Sequence, residues 1–125
     1  MTDADREAPD RYLVVTTTLA SAESARALAR TLVERRLAAC VQSLPVESVY
    51  RWKGEVVEEP EVLLVVKTRR DLYDELERVV RAEHPYEVPE LIAFDVERGL
   101  PAYLVWVAET TSRDSPCSSL PGSPA

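Results

Sequence analysis

The sequence holds one histidine, two cysteines and three glycines among 125 residues, and each scarcity removes a class of chemistry. Gly54, Gly99 and Gly122 stand far apart, so no glycine-rich loop is available to cradle a nucleotide phosphate. His84 would have to serve any nucleophilic triad alone, and no glycine-framed serine elbow accompanies it, so no catalysis is expected. Cys40 lies in an apolar segment and Cys117 in a polar one, without the spacing of a zinc site or a disulfide framework. Cys40 is expected to act chiefly as a small buried hydrophobe. No apolar run approaches the ~20 residues of a membrane span, and Met1 to Asp10 is acidic where a secretory leader would be basic and then apolar. The expected location is cytoplasmic, with no membrane partner. Positive charge is also short: 15 Lys and Arg against 22 Asp and Glu leave a net charge of -7, which argues against nucleic acid as a partner.

What is present is enough for one core, since 46% of the residues are hydrophobic. Residues 1–10 lack periodicity and are expected to form a disordered arm, and 112–125, rich in Ser and Pro, a disordered tail. The domain between them spans 11–111. Tyr12 to Thr18 is an almost unbroken run of β-branched and apolar residues, the pattern of a strand covered on both faces. Ser21 can cap a helix whose apolar stripe is Ala22, Ala25, Leu28, Ala29, Leu32 and Val33, expected to run to about Arg36. From Cys40 to Thr68 the pattern is a long hairpin turning at Lys53-Gly54, with Pro45 marking a bulge or an edge. Val62 to Thr68 is a second candidate central strand. Thr68 and Asp71 fit a capping box for a helix with Leu72, Leu76, Val79 and Val80 inside. Leu91 to Val96 is a short strand, and Pro101 opens a closing helix in which Leu100, Tyr103, Leu104 and Val107 share a face. Leu13-Val14-Val15-Thr16-Thr17 echoes Leu64-Val65-Val66-Lys67-Thr68, each followed by a helix and a strand. Two such units with right-handed crossovers predict an α+β ferredoxin-like βαββαβ sandwich. Hairpin arms longer than the sheet would expose backbone and the Tyr50 and Trp52 rings, and a homo-oligomer would cover them.

The densest chemistry is His84-Pro85-Tyr86-Glu87-Val88-Pro89-Glu90. The prolines push His84 and Val88 towards extended geometry, end the preceding helix and hold these side chains in set directions. The same spacing would serve as a rigid helix-to-strand link. His84 with Glu90, and Cys40 as a further donor, supplies the nitrogen, oxygen and sulfur that suit copper or zinc, though one chain is short of ligands. A symmetric oligomer would complete the set. Alternatively, Tyr50, Trp52, Lys67 and Tyr86 supply a cation, donors and aromatic walls for a small-molecule cleft. A buried intersubunit network is the third possibility. Glu58, Glu59, Glu61, Glu87 and Glu90 are numerous enough for paired-carboxylate acid/base work, but such plenty is more often a solvated acidic face.

With these residues in view, the chain resembles the CutA divalent-cation-tolerance family over Tyr12 to Thr111. The resemblance rests on Leu37-Ala38-Ala39-Cys40-Val41, Tyr50-Arg51-Trp52-Lys53-Gly54, Glu61 to Thr68, and His84 to Glu90. It implies a PII-like ferredoxin fold assembled as a homotrimer, with the long hairpin reaching onto neighbouring subunits and a C-terminal helix closing the domain. It further implies binding of divalent metal ions, copper among them, in the response to metal ions, with no established reaction. The alternative is a PII-like signalling protein sensing a small ligand at the intersubunit cleft. Some members carry a cysteine late in the first strand that is proposed as a copper ligand; here Thr17 stands at the matching place. Cu(II) would then be held chiefly by His84 and Glu90.

Overall fold

The computed structural model describes residues 11–112, so the arm expected at 1–10 and all but the first residue of the tail lie outside the described residues. The elements are β1 (Tyr12–Leu19), α1 (Ala22–Glu34), β2 (Cys40–Trp52), β3 (Glu55–Arg69), α2 (Tyr73–Glu83), β4 (Ile92–Asp95) and α3 (Pro101–Thr110). The strands form one antiparallel sheet in the order β2-β3-β1-β4. The helices α1 and α2 therefore each cross over an intervening strand, and the two apolar runs, β1 and β3, lie at the centre. This is the ferredoxin-like arrangement that the pattern predicts.

The pleat sorts the core. Leu13, Val15, Thr17 and Leu19 of β1 pair with Thr68, Val66, Leu64 and Val62 of β3 on the side covered by α1 and α2. There they meet Leu28, Leu32, Leu76 and Val80 in the main core. Truncating a fully buried member such as Leu64 to Ala would cost about 2–5 kcal/mol. Tyr12, of opposite parity, packs in a second cluster with Ala39, Leu104 and Val107 beneath α3. Elsewhere on that face, among the described residues, several apolar side chains stay open: Leu44 is 43% exposed, Ile92 50% and Phe94 53%.

Element ends follow local chemistry, with three departures from expectation. Ser21 caps α1 by accepting from the Ser24 amide at 3.1 Å. The helix stops at Glu34, two residues early, because Arg36 turns left-handed at φ 59° and the Leu37 amide bonds back to the Leu32 carbonyl. Thr68 does not cap α2: the residue belongs to the β1–β3 ladder, and its hydroxyl donates to the Leu37 carbonyl at 2.7 Å. A short 3-10 turn, Arg70–Leu72, intervenes before Tyr73. Leu100 is 71% exposed rather than packed, because as the residue before Pro101 it is extended (ψ 125°) and does not share the helical spacing of Leu104 and Val107.

The hairpin is as long as predicted. Lys53 and Gly54 have φ of 51° and 84°, the positive pair of a type I′ turn. Pairing of β1 with β3 ends at Leu19 and Val62, and Pro45 lies opposite Val62 on the edge strand without a break in register. Beyond that point Val46–Trp52 pairs with Glu55–Glu61 as a two-stranded ribbon.

Candidate functional site: an acidic cleft at the root of the hairpin

The turn that follows α2 builds one wall. His84 adopts φ -79° and ψ 132°, the extended geometry required before Pro85, and its amide still closes the helix onto Val80. His84 as a whole is 7% exposed. Its Nε2 lies 2.8 Å from the Thr18 carbonyl, and its Nδ1 accepts from the Tyr86 amide at 3.2 Å. A carbonyl only accepts, so the proton is assigned to Nε2. The Tyr86 ring meets the imidazole edge-on at 4.7 Å, and its hydroxyl donates to Glu61 Oε2 at 2.8 Å.

The ribbon builds the other wall. The two-residue turn sets Tyr50 opposite Val57, so Glu59 is its diagonal neighbour, and the Tyr50 hydroxyl donates to the Glu59 carboxylate. That bond raises the Tyr50 pKa to about 12. Burial, and then the bond to Glu61, pushes the Tyr86 phenol above its ordinary value as well. Glu90 returns to the strand face, where Oε2 accepts from Thr16 Oγ1 at 3.2 Å. Lys53 closes the rim, 3.7 Å from Glu87 and 5.6 Å over the Trp52 ring.

Together these walls enclose a cleft of about 810 Å³. Glu47, Glu59, Glu61, Glu87 and Glu90 line it with Tyr50, Trp52 and Tyr86, and no lysine, arginine or histidine does so among the described residues. Such a lining favours a cation. Of the predicted residues, Tyr50, Trp52, Tyr86 and Glu90 meet here, with His84 behind the wall. Lys67 does not join them: it pairs with Cys40 at the far end of the hairpin, and its Nζ donates to Gln42 Oε1 at 2.7 Å. Strand-end position in the sequence concealed that distance. Cys40 is equally remote. Thr17 points to the helix side while Thr16 meets Glu90 on the opposite face, so a side chain at 17 does not share the cleft's face. Sequence reasoning does not single out Glu47 and groups Glu59 and Glu61 with the solvated acids; counting outward from the Lys53-Gly54 turn sets Glu59 and Glu61 on the face of Tyr50 and Trp52, whereas Glu47, opposite Pro60, has the other parity.

Among the described residues, no three His, Cys, Asp or Glu side chains come together as a metal cage. Both imidazole nitrogens of His84 are engaged, and the remaining donors are oxygens, so one subunit does not fit a preformed copper site.

A four-stranded ferredoxin-like sandwich with a long β2-β3 hairpin defines the class of α+β protein to which this chain belongs. Residues 13–110 match the family model described as CutA1 divalent ion tolerance protein, and the chain belongs to that family. It is 50% identical over 99 residues to the divalent-cation tolerance protein CutA of Thermus thermophilus, covering 78% of this chain and 96% of that one. It is 49% identical over 88 residues to the human protein CutA, covering 70% of this chain but 49% of the relative. The chain spans about half the length of that relative and of the mouse one (50%). Among solved structures, the periplasmic divalent cation tolerance protein CutA of Archaeoglobus fulgidus superposes with a TM-score of 0.79 at 36% identity, covering 81% of this chain and 99% of that one. The Thermus thermophilus structure gives 0.78 at 48% identity, with the same coverage. Among the described residues no helix is long and apolar enough to cross a membrane.

Proposed function

We propose that this protein serves divalent-cation tolerance as a cytoplasmic homotrimer that binds the ion without catalysing a reaction, Cu(II) being the preferred ion. The observation that carries this reading is the cleft lining of five glutamates with no lysine or arginine among the described residues. Copper is preferred because the affinity of a given oxygen and nitrogen site for first-row divalent ions peaks at Cu(II). Glu90 and its neighbouring carboxylates are the donors, at modest affinity, with the set completed by a neighbouring subunit. The exposed Leu44, Ile92 and Phe94 and the unsupported ribbon favour the trimer, since each is a surface that a second copy would cover. Calorimetric titration of Cu(II) into wild type and Glu90→Gln tests the site. The variant should bind about tenfold more weakly, a loss of ~1.4 kcal/mol. Affinity should also fall on acidification, as protons compete for the carboxylates. Superimposable isotherms would reject Glu90 as a ligand.

A second reading, a PII-like sensor of a small ligand, is favoured by Tyr50, Trp52 and Tyr86 and by the size of the cleft, within the ~300–1,000 Å³ of small-molecule sites. Trp52 already carries an ammonium over its ring face, so that ligand would be an organic cation. A thermal-shift screen should show stabilisation by amines; stabilisation by small acids alone would exclude it.

A further inference from the structure

We propose that His84 is a positioning residue and not a metal ligand: by bridging the Thr18 carbonyl and the Tyr86 amide it sets the Tyr86 hydroxyl on Glu61 and fixes the inner wall of the cleft. A neutral imidazole has one donor and one acceptor. Here each meets its complement, Nε2–H the Thr18 carbonyl at 2.8 Å and Nδ1 the Tyr86 amide at 3.2 Å. A metal ion needs an in-plane lone pair. That of Nδ1 is held by the Tyr86 amide, and freeing one at Nε2 means losing its proton and the bond to Thr18. At 7% exposure, water cannot readily replace either partner.

The local sequence is suited to the holding role. Pro85 stiffens the link so that the Tyr86 amide turns back on the His84 ring, as amides do onto Asx side chains two residues earlier. Tyr86, packed edge-on against that ring, is thereby aimed at Glu61. Glu61 is itself only 7% exposed, so the phenol is what satisfies a nearly buried carboxylate. His84 thus ties the end of α2 to β1, and through Tyr86 to β3 at the root of the ribbon. The raised Tyr86 pKa follows from burial of the phenol first and from this same bond to Glu61 second. This inference rests on the cleft being the ligand site, whether for an ion or an organic cation.

The test compares intact wild type, His84→Ala, His84→Asn and His84→Gln at one protein concentration, by amide hydrogen exchange without metal and by Cu(II) titration. Asn keeps an acceptor where Nδ1 stands, and Gln keeps a donor that reaches Thr18. Exchange at Tyr86 should quicken about tenfold or more in H84A and H84Q and be restored in H84N. The Cu(II) isotherm of H84N should match wild type. Unchanged Tyr86 exchange in H84Q and H84A would overturn the proposal, as would H84N with a protected Tyr86 amide and a tenfold loss of copper affinity. Should H84A fail to fold, the Asn and Gln variants carry the same contrast. A wild type that takes up no copper would end the metal reading alone, and the exchange arms would still decide the role of His84.

Discussion

Replacing Thr17 with valine should make the protein more stable. Thr17 lies on the helix side of β1, flanked by Val15 and Leu19 and opposite Leu64, and is 1% exposed. Its Oγ1 is buried without a hydrogen-bond partner among the described residues. An unsatisfied buried hydroxyl costs about 1–3 kcal/mol, and a methyl in its place adds up to ~0.8 kcal/mol of apolar burial in an almost unchanged shape. Thr17→Val should therefore gain about 1–3 kcal/mol. For a domain of this size that raises Tm by roughly 4–8 °C per kcal/mol. Thr17→Ser, which keeps the hydroxyl and removes the methyl, should lose about 1 kcal/mol. Urea denaturation at one fixed protein concentration reads both, with a shifted midpoint at constant slope, because assembly would otherwise move the midpoint by mass action. A Thr17→Val protein less stable than wild type would mean that the hydroxyl has a partner, and the reasoning would fail.

Trp52→Glu should lower the mass seen by light scattering, because it sets a charge on the ribbon that a neighbouring copy is proposed to cover; an unchanged mass would show that the ring anchors no interface. Tyr50 should ionise near pH 12, so the stability it contributes is complete below its ordinary pKa of 10 and is lost as pH rises from there through about 12. In Glu59→Gln its tyrosinate band should appear at lower pH, and coincident titrations would disprove the pairing. Gly54→Ala should cost about 1 kcal/mol, from the backbone at φ 84° alone, since an added Cβ there meets no atom within 4 Å. A neutral effect in urea denaturation would count against the type I′ turn.

How much of this was legible in the sequence depends on how local the cause was. β1 and the start of α1 follow from adjacent residues, a β-branched run and a Ser21 cap, and both were readable. The hairpin turn needed only Lys53-Gly54. The end of α1 was misjudged because Arg36 occupies a left-handed position that usually announces itself as glycine. The capping pattern at Thr68 failed for the opposite reason, a tertiary one: Leu37, far away in the chain, claims that hydroxyl. The cleft was half visible. Tyr50, Trp52, Tyr86 and Glu90 stand out as types, whereas Glu59 and Glu61 differ from other surface acids only through the register, and Glu47, of the opposite parity, not even by that. His84 was conspicuous because it is unique, and its chemistry looked available until Thr18 and Tyr86 supplied partners for both nitrogens.

The pairing scheme also ranks the order in which the sheet is entropically accessible. β2 and β3 meet across the two residues Lys53 and Gly54, whereas β1 must find β3 with all of α1 and β2 looped out, and β4 must return to β1 from still farther along the chain. Loop closure is therefore cheapest at the ribbon. The segment that protrudes farthest from the finished domain is the one whose contacts are the easiest for the nascent chain to make.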